Sequence, residues 1–221
     1  MRTLIHMWLS PPCRSVRIVL AEKALDFDLA IENVWDRRAS FLAINPAGEV
    51  PVLQDGDRTV VGAYAIYEYL DEVYPEPTLY GGDPVQRAEI RRLVDWFGAK
   101  FAREVSENLV TEKIVKRFYS RGQPDSTAIR AGHANLHYHL DYIGYLTDRR
   151  KWLAGDTMSM ADIVAAAQLS CIDYLGDVAW NDHPETREWY ARVKSRPSFR
   201  PLLADHLPGA RPPKHYADLD F

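Results

Sequence analysis

Two side chains that could support thiol chemistry, Ser10 and Cys13, lie close together near the amino terminus. They flank Pro11 and Pro12, and proline in a first turn predicts that a helix begins here. A hydroxyl beside a helix N-terminus could hydrogen-bond a thiolate and lower the pKa of that thiol, because exposed amides and the helix dipole favour negative charge. The Cys13 thiol could instead form a mixed disulfide. A structural interpretation is equally open, in which Ser10 caps the helix and Cys13 packs against a sheet.

A second set of side chains suits protein binding. Trp35 lies close to Arg37 and Arg38, and tryptophan beside arginine is typical of interface anchors. The chain ends in Tyr216-Ala217-Asp218-Leu219-Asp220-Phe221, where acids alternate with apolar residues after a proline-rich stretch that cannot continue a helix. Such an extended terminus could dock onto a partner protein. The alternatives are that Trp35 packs against a sheet edge and that the terminus folds back on its own domain.

The composition narrows the class of partner. The 221 residues are 47% hydrophobic and 26% charged, as in a globular protein of one large or two small domains. The net charge is only −4, so neither nucleic acid nor an anionic membrane is an expected partner. We expect a cytoplasmic protein, because no apolar run approaches the roughly 20 residues of a membrane span and no charged leader precedes the first strand. The two cysteines, Cys13 and Cys171, lie far apart, so neither a disulfide framework nor a metal site is expected.

The first eighty residues alternate between strand and helix patterns. Asp55-Gly56 separates two short apolar runs and predicts a hairpin. The order of the elements predicts a βαβ unit followed by a hairpin and a further helix. The predicted strands are residues 3–8, 28–34, 50–53 and 58–61. One predicted helix begins near Pro12, and two more span residues 37–44 and 64–73.

The rest of the chain is predicted to be helical. Prolines and glycines crowd between residues 75 and 84, as in a linker. Ser159 and Asp162 form a capping-box pattern before an apolar helix that should be buried on nearly all sides. The other predicted helices run over about 84–119, 126–148, 185–195 and 199–203. We therefore expect a domain at 1–78, a linker at 79–84, a helical domain at 85–205 and a Pro-rich extended tail at 206–221.

Local motifs in this order resemble those of the cytosolic glutathione transferase superfamily. The stretch Ser10 to Arg17 resembles the turn where that superfamily places its catalytic Ser, Cys or Tyr. Residues 45–53 are similar to its NPxGxVPxL motif, in which the Val-Pro bond is cis, here Val50-Pro51. Ala65-Ile66 with Tyr69-Leu70 matches its AIxxYL run, and residues 155–162 match its buried capped helix. The resemblance implies an α+β fold, with an N-terminal thioredoxin-like βαβ-ββα domain and a C-terminal all-helical domain.

The sequence departs from that superfamily where glutathione would bind. Its members hold the γ-glutamyl end with an acid or amide and a serine, and those positions are Gly62 and Ala63 here. Each missing hydrogen bond would weaken the binding free energy of glutathione by roughly 1–3 kcal/mol. Glu49 stands where many members carry lysine, and its charge would repel the glycine carboxylate of the peptide. Tyr64 or Arg17 could compensate. The framework residues Val50 and Pro51 keep their structural value whether or not a ligand binds.

Further stretches resemble the FzlA-type proteins of alphaproteobacteria, a group within the same superfamily. They are the Gly62-Ala63 pair and residues 34–38, 109–113, 194–205 and 218–221. This resemblance implies a non-catalytic homodimer that binds the tubulin-like GTPase FtsZ, without a cofactor, and regulates filament curvature and constriction in cell division. The alternative is a glutathione transferase or thiol reductase that uses Ser10 or Cys13, with glutathione as co-substrate. The contacts that the resemblance implies for FtsZ are Trp35, Glu112, Asp218, Asp220 and Phe221. Glu112, beside Lys113 and Lys116, could instead belong to a solvated helix face.

Overall fold

A computed structural model describes residues 1–119, 122–207 and 209–219. At residues 118 and 119 it describes the backbone only. The amino-terminal part contains a four-stranded sheet in the order β2-β1-β3-β4. The pair β1 and β2 is parallel, and the other two pairs are antiparallel. The strands are β1 Arg2–His6, β2 Asp28–Ile31, β3 Val52–Asp55 and β4 Arg58–Val61. Together with the helices that follow, this sheet confirms the predicted α+β class.

Three helices belong to the amino-terminal part. They are α1 Pro11–Glu22, α2 Ala39–Ile44 and α3 Ala63–Val73. Helix α1 packs against α3 on one side and against the helical domain on another, so that residues 13–20 are all buried. The predicted second strand was too long at its end, because Val34–Asp36 forms a 3₁₀ turn and Arg37 adopts a left-handed backbone with φ 43°.

The helical part begins with one long rod. Helix α4, Pro84–Asp95, continues through Trp96–Val115 with π-type hydrogen bonds and ends as α5, Lys116–Tyr119. Buried Phe97, Phe101, Val105 and Leu109 recur every four residues along the π-type segment. The extent of the predicted helix is confirmed, whereas its change of hydrogen bonding was not expected.

Helix α7 is the centre of the helical part. The remaining helices are α6 Ser126–Thr147, α7 Met160–Leu175, α8 Pro184–Lys194 and α9 Arg200–Leu203. Residues 160–174 of α7 are all buried, and the predicted capping box between Ser159 and Asp162 is present. The Asp162 carboxylate also accepts hydrogen bonds from the Leu153 amide and the Trp189 indole, both at 2.9 Å. Asp162 therefore joins the start of α7 to α8 and to the preceding loop.

The segment between α3 and α4 packs tightly against both parts. Leu79 and Tyr80 are buried, and the Leu79 carbonyl accepts a hydrogen bond from the Met160 amide at 2.9 Å. The buried Lys23 ammonium donates to Asp71 at 2.8 Å and to the carbonyl oxygens of residues 74 and 77. These contacts fix the orientation of the helical part relative to the sheet.

The described part of the tail differs from the extended conformation that we expected. Lys214–Ala217 forms a 3₁₀ turn, and Tyr216 is fully buried. The Tyr216 hydroxyl accepts a hydrogen bond from Arg14 at 3.0 Å and donates to the Leu202 carbonyl at 3.2 Å. The tail therefore folds back on its own chain, which was the alternative interpretation. Within the described residues, none of the helices combines the length and the apolar character that crossing a membrane requires.

Candidate functional site

Ser10 lies at the N-terminus of α1, as predicted. It is the N-cap residue and partly exposed, but its side chain makes no capping hydrogen bond with the helix amides. Its carbonyl oxygen accepts the first helical hydrogen bond, from the Arg14 amide at 2.9 Å. The backbone therefore begins the helix here, and the interpretation of the hydroxyl as a cap is wrong.

Cys13 is fully buried in the first turn of α1. Burial raises the pKa of its thiol to about 11, despite opposing contributions from Ser10, the Met7 backbone and Arg17. The thiolate is the nucleophilic form, so a thiol with this pKa stays protonated and unreactive near neutral pH. The position agrees with the structural interpretation of Cys13 as a packed side chain.

The backbone framework of the glutathione site is present. The Val50-Pro51 bond is cis, and the Gly62 amide donates to the Pro51 carbonyl at 3.1 Å. Gly62 precedes α3 with a φ of 87°, a left-handed conformation that favours glycine, and open space lies where a side chain would project. Glu49 is exposed. Gly62 and Ala63 therefore present no acid or hydroxyl to this space, and the Gly62 amide is already bonded to Pro51.

Tyr64 occupies the space between α3 and the helical part. Its hydroxyl approaches the Val94 carbonyl at 3.4 Å, and its ring end lies where a side chain on Gly98 would have to sit. The cavity that remains beside Ala63 and Tyr67 measures about 20 Å³, which is room for about one water molecule. Tyr64 therefore fills the interdomain space and does not replace the missing polar groups.

Arg17 is also committed within the chain. Its guanidinium donates two hydrogen bonds to the Asp205 carboxylate, at 2.7 and 3.0 Å. Arg14 donates to the same carboxylate at 3.3 Å and to the Ser170 hydroxyl at 2.9 Å. All four side chains are buried. The cations of α1 therefore join α1 to the helical part, and the Arg17 guanidinium is committed to Asp205.

A larger apolar groove opens at the carboxyl ends of β1 and β2. It has a volume of about 320 Å³ and lies between the β1–α1 loop, the β2–α2 loop and the π-type segment. Trp35 is 37% exposed and lines it, and the Arg17 guanidinium lies 5.4 Å from the centre of the Trp8 ring. The residues that line this apolar groove are Met7, Trp8, Leu9, Ile31, Asn33, Trp35, Val110, Ile114, Val115 and Leu207. Since Asn33 is the one polar residue among them, the groove suits an apolar side chain.

The other predicted contacts have different environments. Glu112 is buried, accepts a hydrogen bond from the Asp125 amide at 2.7 Å and pairs with Lys116 at 2.6 Å. The Asp125 amide and Lys116 lower the pKa of Glu112. Asp218 is exposed, and its charge acts on the buried Lys194 of α8. Glu112 thus positions the residues that begin α6, whereas Asp218 lies on the surface of the tail. The predicted contacts Asp220 and Phe221 lie outside the described residues.

An aromatic face covers one side of the helical part. It consists of Trp96, Tyr138, Tyr142 and Tyr145, and Tyr138 and Tyr145 are 58% and 55% exposed. The ring centres of Trp96 and Tyr142 are 4.6 Å apart, and the Arg149 guanidinium lies 3.9 Å from the centre of the Tyr145 ring. This face was not predicted from the sequence, although tyrosines at 138, 142 and 145 have the spacing of one helix face. The apolar groove was not predicted either, because its lining residues come from separate parts of the chain.

Comparisons with known proteins place the chain in a family. Residues 4–78 match the family "Glutathione S-transferase, N-terminal domain", and residues 131–197 match "Glutathione S-transferase, C-terminal domain". The chain is 46% identical to FtsZ-localized protein A of Caulobacter vibrioides, over 100% of this chain and 98% of that protein.

Solved structures agree with the sequence comparisons. A crystal structure of a glutathione S-transferase from Rhodospirillum rubrum F11 is 61% identical over the whole of both chains, with a TM-score of 0.98. The structure of FzlA from C. crescentus is 47% identical over 100% of this chain and 99% of that one, with a TM-score of 0.96. The chain therefore belongs to the glutathione S-transferase family and, within it, to the group related to FtsZ-localized protein A.

Proposed function

We propose that this protein is a non-catalytic homodimer that binds FtsZ and regulates filament curvature and constriction in cell division. The observation that carries the proposal is the similarity to FtsZ-localized protein A, which extends over the whole chain. On this proposal the protein works in the cytoplasm, requires no cofactor, and binds neither nucleic acid nor membranes. Its activity is the contact that it makes with the polymer.

The environment of the thiol-site residues supports a non-catalytic role. Cys13 is buried with a pKa of about 11, and Arg17 is engaged by Asp205. Gly62 and Ala63 provide no side chain that could hold the charged end of glutathione. A peptide bound there would lose several hydrogen bonds, and each tenfold loss of affinity corresponds to about 1.4 kcal/mol.

The apolar groove supports a docking role for Trp35. A partly exposed tryptophan at the edge of an apolar depression can contribute a large share of a protein interface. Asp218, exposed on the folded tail, would add a charged contact. Glu112 would contribute indirectly, because it holds the Asp125 amide at the start of α6.

The aromatic face supports the dimer. Exposed tyrosines stacked beside arginine are typical of interface cores, and a second copy of the chain would cover them. A symmetric dimer presents two docking surfaces, so one dimer could contact two FtsZ subunits and gain avidity. Light scattering of the purified chain should therefore give twice the mass of one chain, and Tyr138→Glu with Tyr145→Glu should shift it to the monomer mass.

Co-sedimentation with FtsZ polymers tests the proposed partner. The wild-type chain should pellet with FtsZ in the presence of GTP, and Asp218→Lys should pellet much less. Val85→Ala is a matched surface control, because Val85 is 80% exposed and distant in sequence from the proposed contacts. If polymerised FtsZ pellets while the wild-type protein stays in the supernatant, the proposal is contradicted.

A glutathione-dependent enzyme is the second candidate, and one observation favours it. The Ser10 hydroxyl lies at the N-terminus of α1 and makes no capping bond to the amides; it contacts the Cys13 thiol, so a glutathione thiolate would have to compete with Cys13 for it. Calorimetry with reduced glutathione separates the two candidates. Binding at millimolar concentration or tighter that Ser10→Ala weakens would support the enzyme, whereas no heat of binding would support the docking protein.

A further inference from the structure

Two imidazoles converge at the junction of α6 and α8, far from the groove. His137 Nδ1 and His183 Nε2 lie 2.8 Å apart. Behind this pair, His183 Nδ1 lies 3.0 Å from Asp141 Oδ1. Because a carboxylate only accepts hydrogen bonds, the proton of neutral His183 sits on Nδ1, and its Nε2 lone pair faces His137. The carboxylate thus orients the imidazole in the way that carboxylates orient metal-binding histidines.

The elements that carry the pair are held together. His137 and Asp141 are one turn apart on the 22-residue α6, and His183 precedes α8 and is only 7% exposed. The Thr186 hydroxyl of α8 donates to the Leu140 carbonyl of α6 at 2.7 Å. The two nitrogen atoms therefore keep their separation without support from a ligand.

The surroundings attract cations. A cavity of about 340 Å³ adjoins His183. Its lining includes Arg149 and the acidic residues Asp141, Asp148, Asp182 and Glu185. Four carboxylates against one guanidinium give this cavity a negative potential, which raises the local concentration of divalent cations.

We propose that His137 and His183 form a binding site for a divalent ion that accepts square-planar or octahedral coordination, Cu²⁺ or Ni²⁺. Metal–nitrogen bonds are about 2.0–2.1 Å long. Two nitrogens at right angles around such a metal would be about 2.9 Å apart, close to the observed 2.8 Å, whereas a tetrahedral site needs about 3.3 Å. On binding, the proton between the two rings moves through solvent from Nδ1 to Nε2 of His137, so that both facing nitrogens offer lone pairs to the metal.

The protein supplies only part of the coordination shell. Within the described residues, no group of three or more His, Cys, Asp and Glu side chains is arranged to hold a metal ion. Water therefore completes the coordination around His137 and His183, and Asp141 remains an outer partner. The sequence did not indicate this site because the two histidines are 46 residues apart.

Titration of the untagged full-length chain with Cu²⁺ tests the site. Wild-type protein should bind one Cu²⁺ per chain, with an electron paramagnetic resonance spectrum that shows two imidazole nitrogens. His137→Gln should weaken binding at least tenfold and remove one nitrogen from the spectrum, without loss of folding, because His137 is exposed. Asp141→Asn should weaken binding about 10- to 100-fold.

The matched control is His206→Gln, which removes an exposed histidine elsewhere and should leave the affinity and the spectrum unchanged. Equal Cu²⁺ affinity in wild-type and His137→Gln protein would overturn the proposal. An equal loss in His137→Gln and His206→Gln would also overturn it, because it would indicate scattered surface binding. Because the titration contains no FtsZ, its result tests the metal site independently of the proposed function.

Discussion

Two neighbouring regions between the sheet and the helical part differ in what they can bind. Beside Gly62, the space where a side chain would project is open, but neither Gly62 nor Ala63 carries an acid or a hydroxyl. Beside Trp35, the apolar groove offers about 320 Å³. The first region keeps the backbone of a glutathione site, with cis Pro51 and left-handed Gly62, and lacks the side chains that would hold the ligand. The first region thus contains residues that shape the backbone, whereas the second contains an apolar groove.

The cations of α1 do not replace the polar groups that the first region lacks. Arg14 and Arg17 share the Asp205 carboxylate in a buried cluster. A buried charge that loses its partner is costly, because neither water nor another counter-ion replaces it. These arginines are therefore part of the fold rather than part of a binding site.

Asp205→Ala should have the largest effect on the first region. It leaves Arg14 and Arg17 buried without their shared carboxylate, so the free energy of unfolding should fall by about 3–5 kcal/mol. Urea unfolding followed by circular dichroism measures this change. Asp218→Ala, at an exposed acid of the tail, is the control and should change it by less than about 0.5 kcal/mol. A loss below about 1 kcal/mol for Asp205→Ala would mean that the arginines are solvated and available to a ligand.

His6 should make stability depend on pH at the boundary between the two regions. It is fully buried at the end of β1, with its ring centre 4.7 Å from that of Trp8. Burial, assisted by the charge of Arg17, lowers the pKa of His6 to about 4. The unfolded chain, with a pKa near 6.5, binds this proton more readily, so stability is lost as the pH falls from about 6.5 towards 4.

The variant His6→Leu isolates that contribution. Between pH 7 and pH 4.5 the free energy of unfolding of the wild type should fall by about 2 kcal/mol more than that of His6→Leu, because one pKa unit corresponds to about 1.4 kcal/mol. Chemical unfolding at the two pH values gives the difference. Parallel pH profiles for the two proteins would show that His6 is solvated in the folded state.

Ser10→Ala should have the smallest effect. An N-cap serine that bonds the helix amides contributes about 1 kcal/mol, but the Ser10 side chain makes no such bond. We expect a change in the free energy of unfolding within about 0.5 kcal/mol. A loss of 1 kcal/mol or more, measured by urea unfolding, would restore the capping interpretation of the hydroxyl.

Features set by neighbouring residues were predictable from the sequence. The Asp55-Gly56 turn, a helix that begins near Pro12 and the capping box between Ser159 and Asp162 all follow from local rules and are confirmed. The family resemblance added the cis bond at Pro51, which is also present.

Features that depend on distant residues were not predictable. Asp205 meets Arg14 across 191 positions, and Tyr216 meets Arg14 across 202. Neither hydrophobic spacing nor charge pattern reports such contacts, so the tail was expected to be extended. The burial of Glu112 was missed for the same reason, because its partner is the Asp125 amide beyond the next loop.

The central claim is that binding has moved from the thiol site to the apolar groove, and one paired measurement tests it most directly. Co-sedimentation with FtsZ polymers, measured as a dissociation constant, should weaken at least tenfold in Trp35→Ala, because an anchoring tryptophan contributes more than about 1.4 kcal/mol. The same constant should stay unchanged in Ser10→Ala. A tenfold loss in Ser10→Ala together with wild-type binding by Trp35→Ala would contradict the account.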